Sequence, residues 1–446
     1  VDINLNRRVV LKAGLAAGLG VGIWPNILMG KDDRKVRLGF IGVGGRGSGL
    51  LKKYLGMADV EVPAICDVVE ENLGKAVDMV EKSGRKRPTG YCAGEEDFRN
   101  LVARDDLDGV VIAAPWRWHI PMAIAAMRCG KYAATEVGPA NSVEECIELV
   151  RTYEETGKPC MMLENYCYTR NHMAVLNMVR QGLFGEMVHC QCGYLHDLRK
   201  RIVQGKGTGV KLAEGGDYRS RQNRLRNGDI YPTHGVGPMA HYLKINRGNK
   251  FNYLTSTASK SCGLNAWAED NHGKDDERAK INWAMGDVVT TTIKCHNGET
   301  LLVVHDVALP RPRAERSLVQ GTKGIWMTNN DSMSGSTILL EGMSPEGHKG
   351  EPFDKYQTKY EHPVWKEYLK KGIQGGHWGT DYLALRAFAD SVKNGTATPI
   401  DVYDTASWMV ISPLTEKSIA NGSSPVEFPD FTKGKWKSNK PIFCTT

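Results

Sequence analysis

The chain has 446 residues, enough for two or three domains, and 41% apolar content is enough for sizeable cores. A net charge of +7 is modest for that length, and no basic block or basic groove interleaved with aromatics stands out. This argues against a nucleic-acid-binding protein. The 11 cysteines form no C-x-x-C pair and have no histidine partners at zinc spacing, so they mark no metal site and read as mostly buried free thiols.

In chain order, residues 1–34 stand apart. Asn6-Arg7-Arg8-Val9-Val10-Leu11-Lys12 followed by the apolar run 13–24 resembles a twin-arginine export signal, which implies a folded protein delivered to the periplasm. The run is too short and too glycine-rich for a stable membrane span. The alternative is a cytoplasmic protein whose N-terminal arm packs on a partner subunit.

Residues 35–165 read as a dinucleotide-binding domain. The apolar positions of Val36-Arg37-Leu38-Gly39-Phe40-Ile41 predict a buried parallel strand. Gly42-Val43-Gly44-Gly45-Arg46-Gly47 then forms a G-x-G-x-x-G turn into a helix beginning near Arg46. Gly42 permits the turn, Gly44 lets the backbone approach a pyrophosphate, and Gly47 lets helix and strand pack closely. The phosphate belongs at the helix N-terminus, where unpaired N–H groups and the dipole favour negative charge. A second strand, 60–65, leads to Asp67, 20 residues after Gly47, where a carboxylate holds ribose hydroxyls and favours NAD over NADP. The pattern continues with helix 68–82, short helix 97–103, strand 109–115, helix 120–129, strand 131–137, a helix from Ser142 to 155 with Glu145 at capping-box spacing, and strand 159–164. This alternation predicts an α/β, doubly wound (Rossmann) sheet.

Residues 166–446 change character. A helix over 170–181 precedes longer strands at 187–195 (where Cys190 and Cys192 alternate), 251–259, 288–296 and 300–307, the last two joined by His296-Asn297-Gly298-Glu299. They predict an α+β domain with an open, mainly antiparallel sheet for substrate and oligomerisation. Residues 200–226 read as a basic loop over the site. Two terminal helices, 380–393 and 405–420, are expected to return toward the first domain.

Several strings carry a family resemblance: Trp116-Arg117-Trp118-His119, Thr135-Glu136-Val137, Glu164-Asn165-Tyr166, Gly193-Tyr194, Asp217-Tyr218-Arg219, and the run Arg226-Asn227-Gly228-Asp229-Ile230-Tyr231-Pro232-Thr233-His234-Gly235. The chain resembles the glucose–fructose oxidoreductase / inositol dehydrogenase family and, within it, glycoside hydrolase family 109, the NAD-dependent α-N-acetylgalactosaminidases. The likeness covers almost the whole chain, and Tyr-Pro-Thr-His-Gly is its most specific element. Ordinary dehydrogenases of that superfamily carry Glu-Lys-Pro, whose lysine acts in proton transfer, where this chain has Glu136-Val137-Gly138 and no lysine.

The resemblance implies glycoside cleavage by transient oxidation at C3, deprotonation at C2, elimination, water addition and re-reduction, on N-acetylgalactosaminides. It implies NAD held by Gly42, Gly44, Gly45, Arg46, Gly47 and Asp67, with Trp116, Trp118, His119, Glu136, Val137 and Asn165 on the nicotinamide side. His234 becomes the acid–base candidate, with Tyr231 and Tyr166 beside it. Tyr194, Arg219, Tyr231, Pro232, Thr233, His234 and Arg313 become candidate sugar contacts. Arg313 is a departure, because Pro310-Arg311-Pro312-Arg313 stands where the family has Pro-Arg-Pro-Tyr. Arg117 likewise replaces a usual acidic residue. By analogy the protein is a homo-oligomer. A sugar or cyclitol dehydrogenase and a non-catalytic glycan-binding protein are the alternatives.

Overall fold

The computed structural model describes residues 34–204, 218–331, 334–345, 349–372 and 379–444. The twin-arginine-like stretch lies outside the described residues.

The first sheet is parallel, with strands β1 (Val36–Ile41), β2 (Val60–Cys66), β3 (Thr89–Tyr91), β4 (Gly109–Ile112), β5 (Tyr132–Thr135) and β6 (Cys160–Met162) in the order 3-2-1-4-5-6. Helices α1 (Gly45–Leu55), α2 (Glu70–Lys82), α3 (Phe98–Val102), α4 (His119–Arg128) and α5 (Val143–Thr156) make the crossovers. This is a doubly wound Rossmann order, whose ligand crevice opens at the carboxyl ends of the strands where the winding reverses. Ser142 caps α5 by accepting the Glu145 N–H, whereas the Glu145 carboxylate reaches back to the N–H of Asn141 rather than to that of Ser142. The capping box is therefore half formed.

After α6 (Arg170–Arg180) the chain enters a nine-stranded sheet. Its elements are β7 (Met187–Leu195), α7 (Arg199–Gln204), α8 (Tyr218–Leu225), α9 (Thr233–Tyr242), β8 (Phe251–Ala258), α10 (Gly263–His272), β9 (Val288–Cys295), β10 (Thr300–Asp306), β11 (Leu318–Gly321), β12 (Gly324–Asp331), β13 (Ser334–Leu340) and β14 (Glu351–Pro352). The strand order is 14-13-12-11-7-10-9-8-15, where β15 is Val426–Glu427; all pairings are antiparallel except β7 with β10. Cys190 and Cys192 point into the core as their alternation requires, and all 11 cysteines are free thiols.

The stretch expected to be a loop over 200–226 is helical at both ends, with α7 covering 200–204 and α8 covering 218–225, and 205–217 lie outside the described residues. Strands β11–β14 are an addition that sequence periodicity did not announce. The single helix expected over 405–420 is two, α14 (Val402–Met409) and α15 (Ile411–Ala420), after α11 (Asp354–Lys359), α12 (Pro363–Lys370) and α13 (Thr380–Asn394). Pro413 explains the break: its ring cannot coexist with a helical carbonyl at Met409. That carbonyl instead accepts the Ala140 N–H at 3.2 Å.

The last helices bind the two sheets together. α13 packs on α1 and β1, and α14 packs on α5 and β6. Tyr54 donates to the Leu385 carbonyl at 3.1 Å, and Arg386 pairs with Asp59 at 2.7 Å. No helix among the described residues is long and apolar enough to cross a membrane.

Asp229, 1% exposed, leads into α9. Its Oδ1 accepts the Tyr231 N–H at 2.9 Å, and its own N–H donates to Thr415 at 3.0 Å. Burial pushes its carboxyl up to about 7. Because this lies above the unfolded value of about 3.9, the folded state holds the proton more tightly, and stability falls as pH rises between the two values. Asp229→Asn keeps the acceptor without the charge. Urea melts should show the variant gaining about 1–3 kcal/mol relative to wild type between pH 4 and pH 8; an unchanged difference would contradict the buried-carboxyl assignment.

Candidate active site

A cavity of about 390 Å³ runs from the carboxyl ends of β1, β2, β4 and β5 to the near end of β7. Its first half is built by the glycine turn. Gly42 has φ +82°, and a Cβ there would lie 2.7 Å from the Ala113 carbonyl carbon. A Cβ on Gly47 would lie 1.9 Å from the Gly42 oxygen, so Gly47 sits behind the wall, pressing α1 onto β1. No side chain caps α1, and its first turn holds no acidic residue, so its N-terminal amides remain available to an anion.

Asp67 lines the cavity at the end of β2. Its Oδ2 accepts the Val43 N–H at 2.7 Å and its Oδ1 the Val69 N–H at 2.8 Å. Each oxygen keeps a further acceptor site for a hydroxyl. Gly44, Gly45, Arg46, Trp116, Trp118, His119, Glu136, Val137 and Asn165 line the same space.

Arg46 is committed to protein partners. It donates to Glu136 at 2.8 Å and makes a two-bond fork with Asp381 of α13 at 2.8 and 3.0 Å. Lys53 and Asn165 also reach Asp381, at 3.2 and 3.0 Å. Burial raises the Glu136 carboxyl while Arg46 opposes the shift. His119 donates from Nε2 to the Ala114 carbonyl at 2.9 Å, and burial lowers its pKa to about 4, so the ring is neutral. Its Nδ1 and the Asn165 Oδ1 are buried acceptors without partners among the described residues. Two such orphans beside an open helix N-terminus fit a ligand that brings both an anion and N–H or O–H donors, as a dinucleotide does.

Gly138 stands where Glu-Lys-Pro has its proline, and packing explains that departure. A Cβ there would lie 2.5 Å from Trp116 Cδ1, so the indole occupies the space that a larger residue would need.

The second half of the cavity gathers Tyr166, Tyr194, Tyr231, His234, Arg219 and Arg313. His234 is the first-turn residue of α9, and glycines bring that helix close to its neighbours. A Cβ on Gly235 would lie 2.8 Å from Cys192 Cβ on β7, and one on Gly237 would lie 3.0 Å from Glu164 Cγ. This proximity places His234 Nδ1 2.6 Å from Glu164 Oε1. Oε1 also accepts the Tyr166 N–H at 3.0 Å, and Glu164 is 0% exposed. A carboxylate only accepts, so Nδ1 carries the proton and Nε2 is the nitrogen left for chemistry.

Tyr166 packs on the imidazole with ring centroids 4.2 Å apart, and Tyr231 meets it edge-on at 5.1 Å. Burial raises the phenols of Tyr194 and Tyr231, keeping both protonated. The Arg219 guanidinium lies between Trp116 (4.7 Å) and Tyr231 (4.8 Å). Arg313 lies over Tyr166 at 5.8 Å. Pro232 and Thr233 do not line the cavity. Pro232 offers its carbonyl to the Val236 N–H, and Thr233 is fully buried behind the wall. Glu164 is the residue that sequence reasoning passed over as a participant. Its signal was a carboxylate directly after a buried strand on the cofactor edge of the sheet.

Comparison with known proteins agrees with this division. Solved structures with the same fold include levoglucosan dehydrogenase in complex with NADH and levoglucosan (18% identity, TM-score 0.65, covering 89% of this chain and 100% of that one). Another is an inositol dehydrogenase homologue complexed with NAD⁺ from Azotobacter vinelandii (14% identity, TM-score 0.64, 89% and 98% covered). Residues 36–164 match the oxidoreductase family with an NAD-binding Rossmann fold, which sets the class of the first half.

Residues 168–438 match the C-terminal domain of glycosyl hydrolase 109. An α-N-acetylgalactosaminidase of Tannerella forsythia is 43% identical over 428 residues, 93% of this chain and 90% of the relative. A glycosyl hydrolase family 109 protein of Stenotrophomonas maltophilia is 44% identical over 453 residues, 99% and 98%. The chain belongs to glycosyl hydrolase family 109 and is a glycosidase built on an NAD-binding Rossmann domain.

Glu164→Gln should act through His234. Losing the oriented base should cost about 10²–10⁴-fold in kcat, the usual span for general acid–base catalysis. Glu164→Asp should recover part of that loss, and KM should change little, because the carboxylate orients the imidazole rather than holding the sugar. Steady-state kinetics would refute the positioning role if kcat stayed at its wild-type value or if the loss fell on KM alone.

Proposed function

We propose that the protein cleaves α-linked N-acetylgalactosaminides, or close relatives of them, by a redox route in which NAD stays bound throughout. The observation that carries this reading is the Glu164–His234 pair beside the cofactor cradle, in a cavity whose carboxylates are otherwise committed. A conventional glycosidase needs two carboxyl groups flanking the bond. Here Asp67 holds backbone amides, Glu136 holds Arg46, and Glu95 holds Arg117. An ordinary dehydrogenase would use an amine where Val137 stands.

NAD, when bound, supplies a reversible hydride acceptor for C3 of the sugar. The cradle of Gly42, Gly44, Gly45 and the α1 N-terminus would hold its phosphates, Asp67 its ribose, and Asn165 and His119 would offer acceptors. His234 Nε2 takes the acidified proton from sugar C2, and Glu164 holds the imidazole in the tautomer that can do so. Tyr166 fixes the plane of that ring. Tyr231 and Tyr194, kept protonated by burial, donate to sugar oxygens, and Tyr231 protonates the departing oxygen. Trp116 and Arg219 form the wall against which the sugar lies.

The same reading includes export in folded form through the Arg7-Arg8 stretch, which suits a protein that loads its dinucleotide before leaving the cytoplasm. It also includes pairing of copies through the outward face of the second sheet, where Leu302, Val304, Ile325 and Met327 alternate with buried residues.

Nitrophenyl glycosides followed for aglycone and for NADH absorbance together test the proposal. Aglycone should be released catalytically without NADH accumulating, and protein stripped of NAD should regain activity on adding it back. NADH formed in step with substrate would instead identify a dehydrogenase.

A further inference from the structure

We infer that this site takes a glycoside bearing an anionic substituent, a carboxylate or a sulfate ester, and that Arg313 is the residue that selects it. The inference rests on the glycosidase reading for its sugar, and on the cavity for its charge. The Pro310-Arg311-Pro312-Arg313 segment ends in Ala314, which pairs with Leu195 through two backbone bonds of 2.9 and 3.1 Å. That bridge continues the sheet beside Tyr194 and fixes which arginine turns inward. Arg311 donates to Asp306 at 2.5 Å and does not line the cavity. Arg313 does line it, and among the described residues its guanidinium makes no hydrogen bond to a protein acceptor.

The nearest carboxylate, Glu315, is 3.6 Å from Arg313 Nε, beyond hydrogen-bond length, and is 3% exposed. The two form a longer ion pair through Nε. Arg201 and Arg219 line the same half of the cavity. Arg219 is held between two aromatic rings as part of the wall, whereas Arg313 is 35% exposed. Tyr166 is the ring that both Arg313 and His234 touch. An anionic group on the sugar presented to His234 therefore comes within reach of a guanidinium fork, which matches carboxylate and sulfate oxygens two at a time.

The test is calorimetric binding to NAD-loaded protein of N-acetylgalactosamine, galacturonic acid and N-acetylgalactosamine 6-sulfate, repeated with R313Q and R313K. One of the two acids should bind at least about tenfold more tightly than the neutral sugar, and added salt should shrink that preference. Galacturonic acid leading identifies a carboxylate; the 6-sulfate leading identifies a sulfate ester. R313Q should cut the anionic-to-neutral ratio about tenfold, with R313K restoring part of it. Equal or weaker binding of both acids, or a ratio that survives R313Q, overturns the inference. Nitrophenyl glycosides of the same sugars separate the two claims: an anionic preference in binding with no aglycone released from any of them sinks the glycosidase reading and leaves the subsite standing.

Discussion

The contact between His234 Nδ1 and Glu164 Oε1 joins the two halves of the chain beside the cavity that both halves line. Glu164 belongs to the edge of the dinucleotide sheet and His234 to the first turn of a helix lying on the second sheet. The bond is 2.6 Å long and its acceptor is wholly buried. A hydrogen bond to a charged group is worth about 1.5–3 kcal/mol, and stranding that carboxylate would cost more. The close approach of α9 has to be preserved for the pair to exist, and Gly235 and Gly237 are what permit it.

A second tie across the halves stands at the mouth of the cofactor cradle. Arg46 and Lys53 from α1, Asn165 after β6 and Asp381 from α13 meet in one buried cluster, with Glu136 on its rim. Breaking one member of such a cluster leaves an uncompensated buried charge. The cluster therefore holds the two halves in one register, and the helix N-terminus and His234 share a cavity because of it. Arg46 serves this cluster through its side chain, whereas the backbone at the start of α1 is what a phosphate would meet.

Much of this was legible in the residues. The glycine turn, Asp67 and the strand–helix alternation are local patterns whose physics is the same in any chain. The longer strands and the His296–Glu299 hairpin were likewise readable, with Gly298 at φ +106°. Other features depend on contacts far apart in sequence and left no periodic trace. Glu164 looked like part of a string until α9 came to rest beside it. Gly138 looked like a lost motif until Trp116 filled its space. The break at Val410 follows from Pro413, but its repair by the Ala140 N–H required the fold. Strands β11 and β14 are only four and two residues long, and in β12 and β13 the buried positions include Thr328 and Ser336, which breaks the apolar period.

The central claim is that a histidine oriented by a buried glutamate removes a proton from sugar C2 during a cycle that leaves NAD unchanged. Cleavage run in deuterium oxide tests it most directly, with the released sugar examined by NMR and mass spectrometry. The account predicts deuterium at C2 of the product, formed without net NADH. A product that retains its original hydrogen at C2 after full cleavage would contradict it.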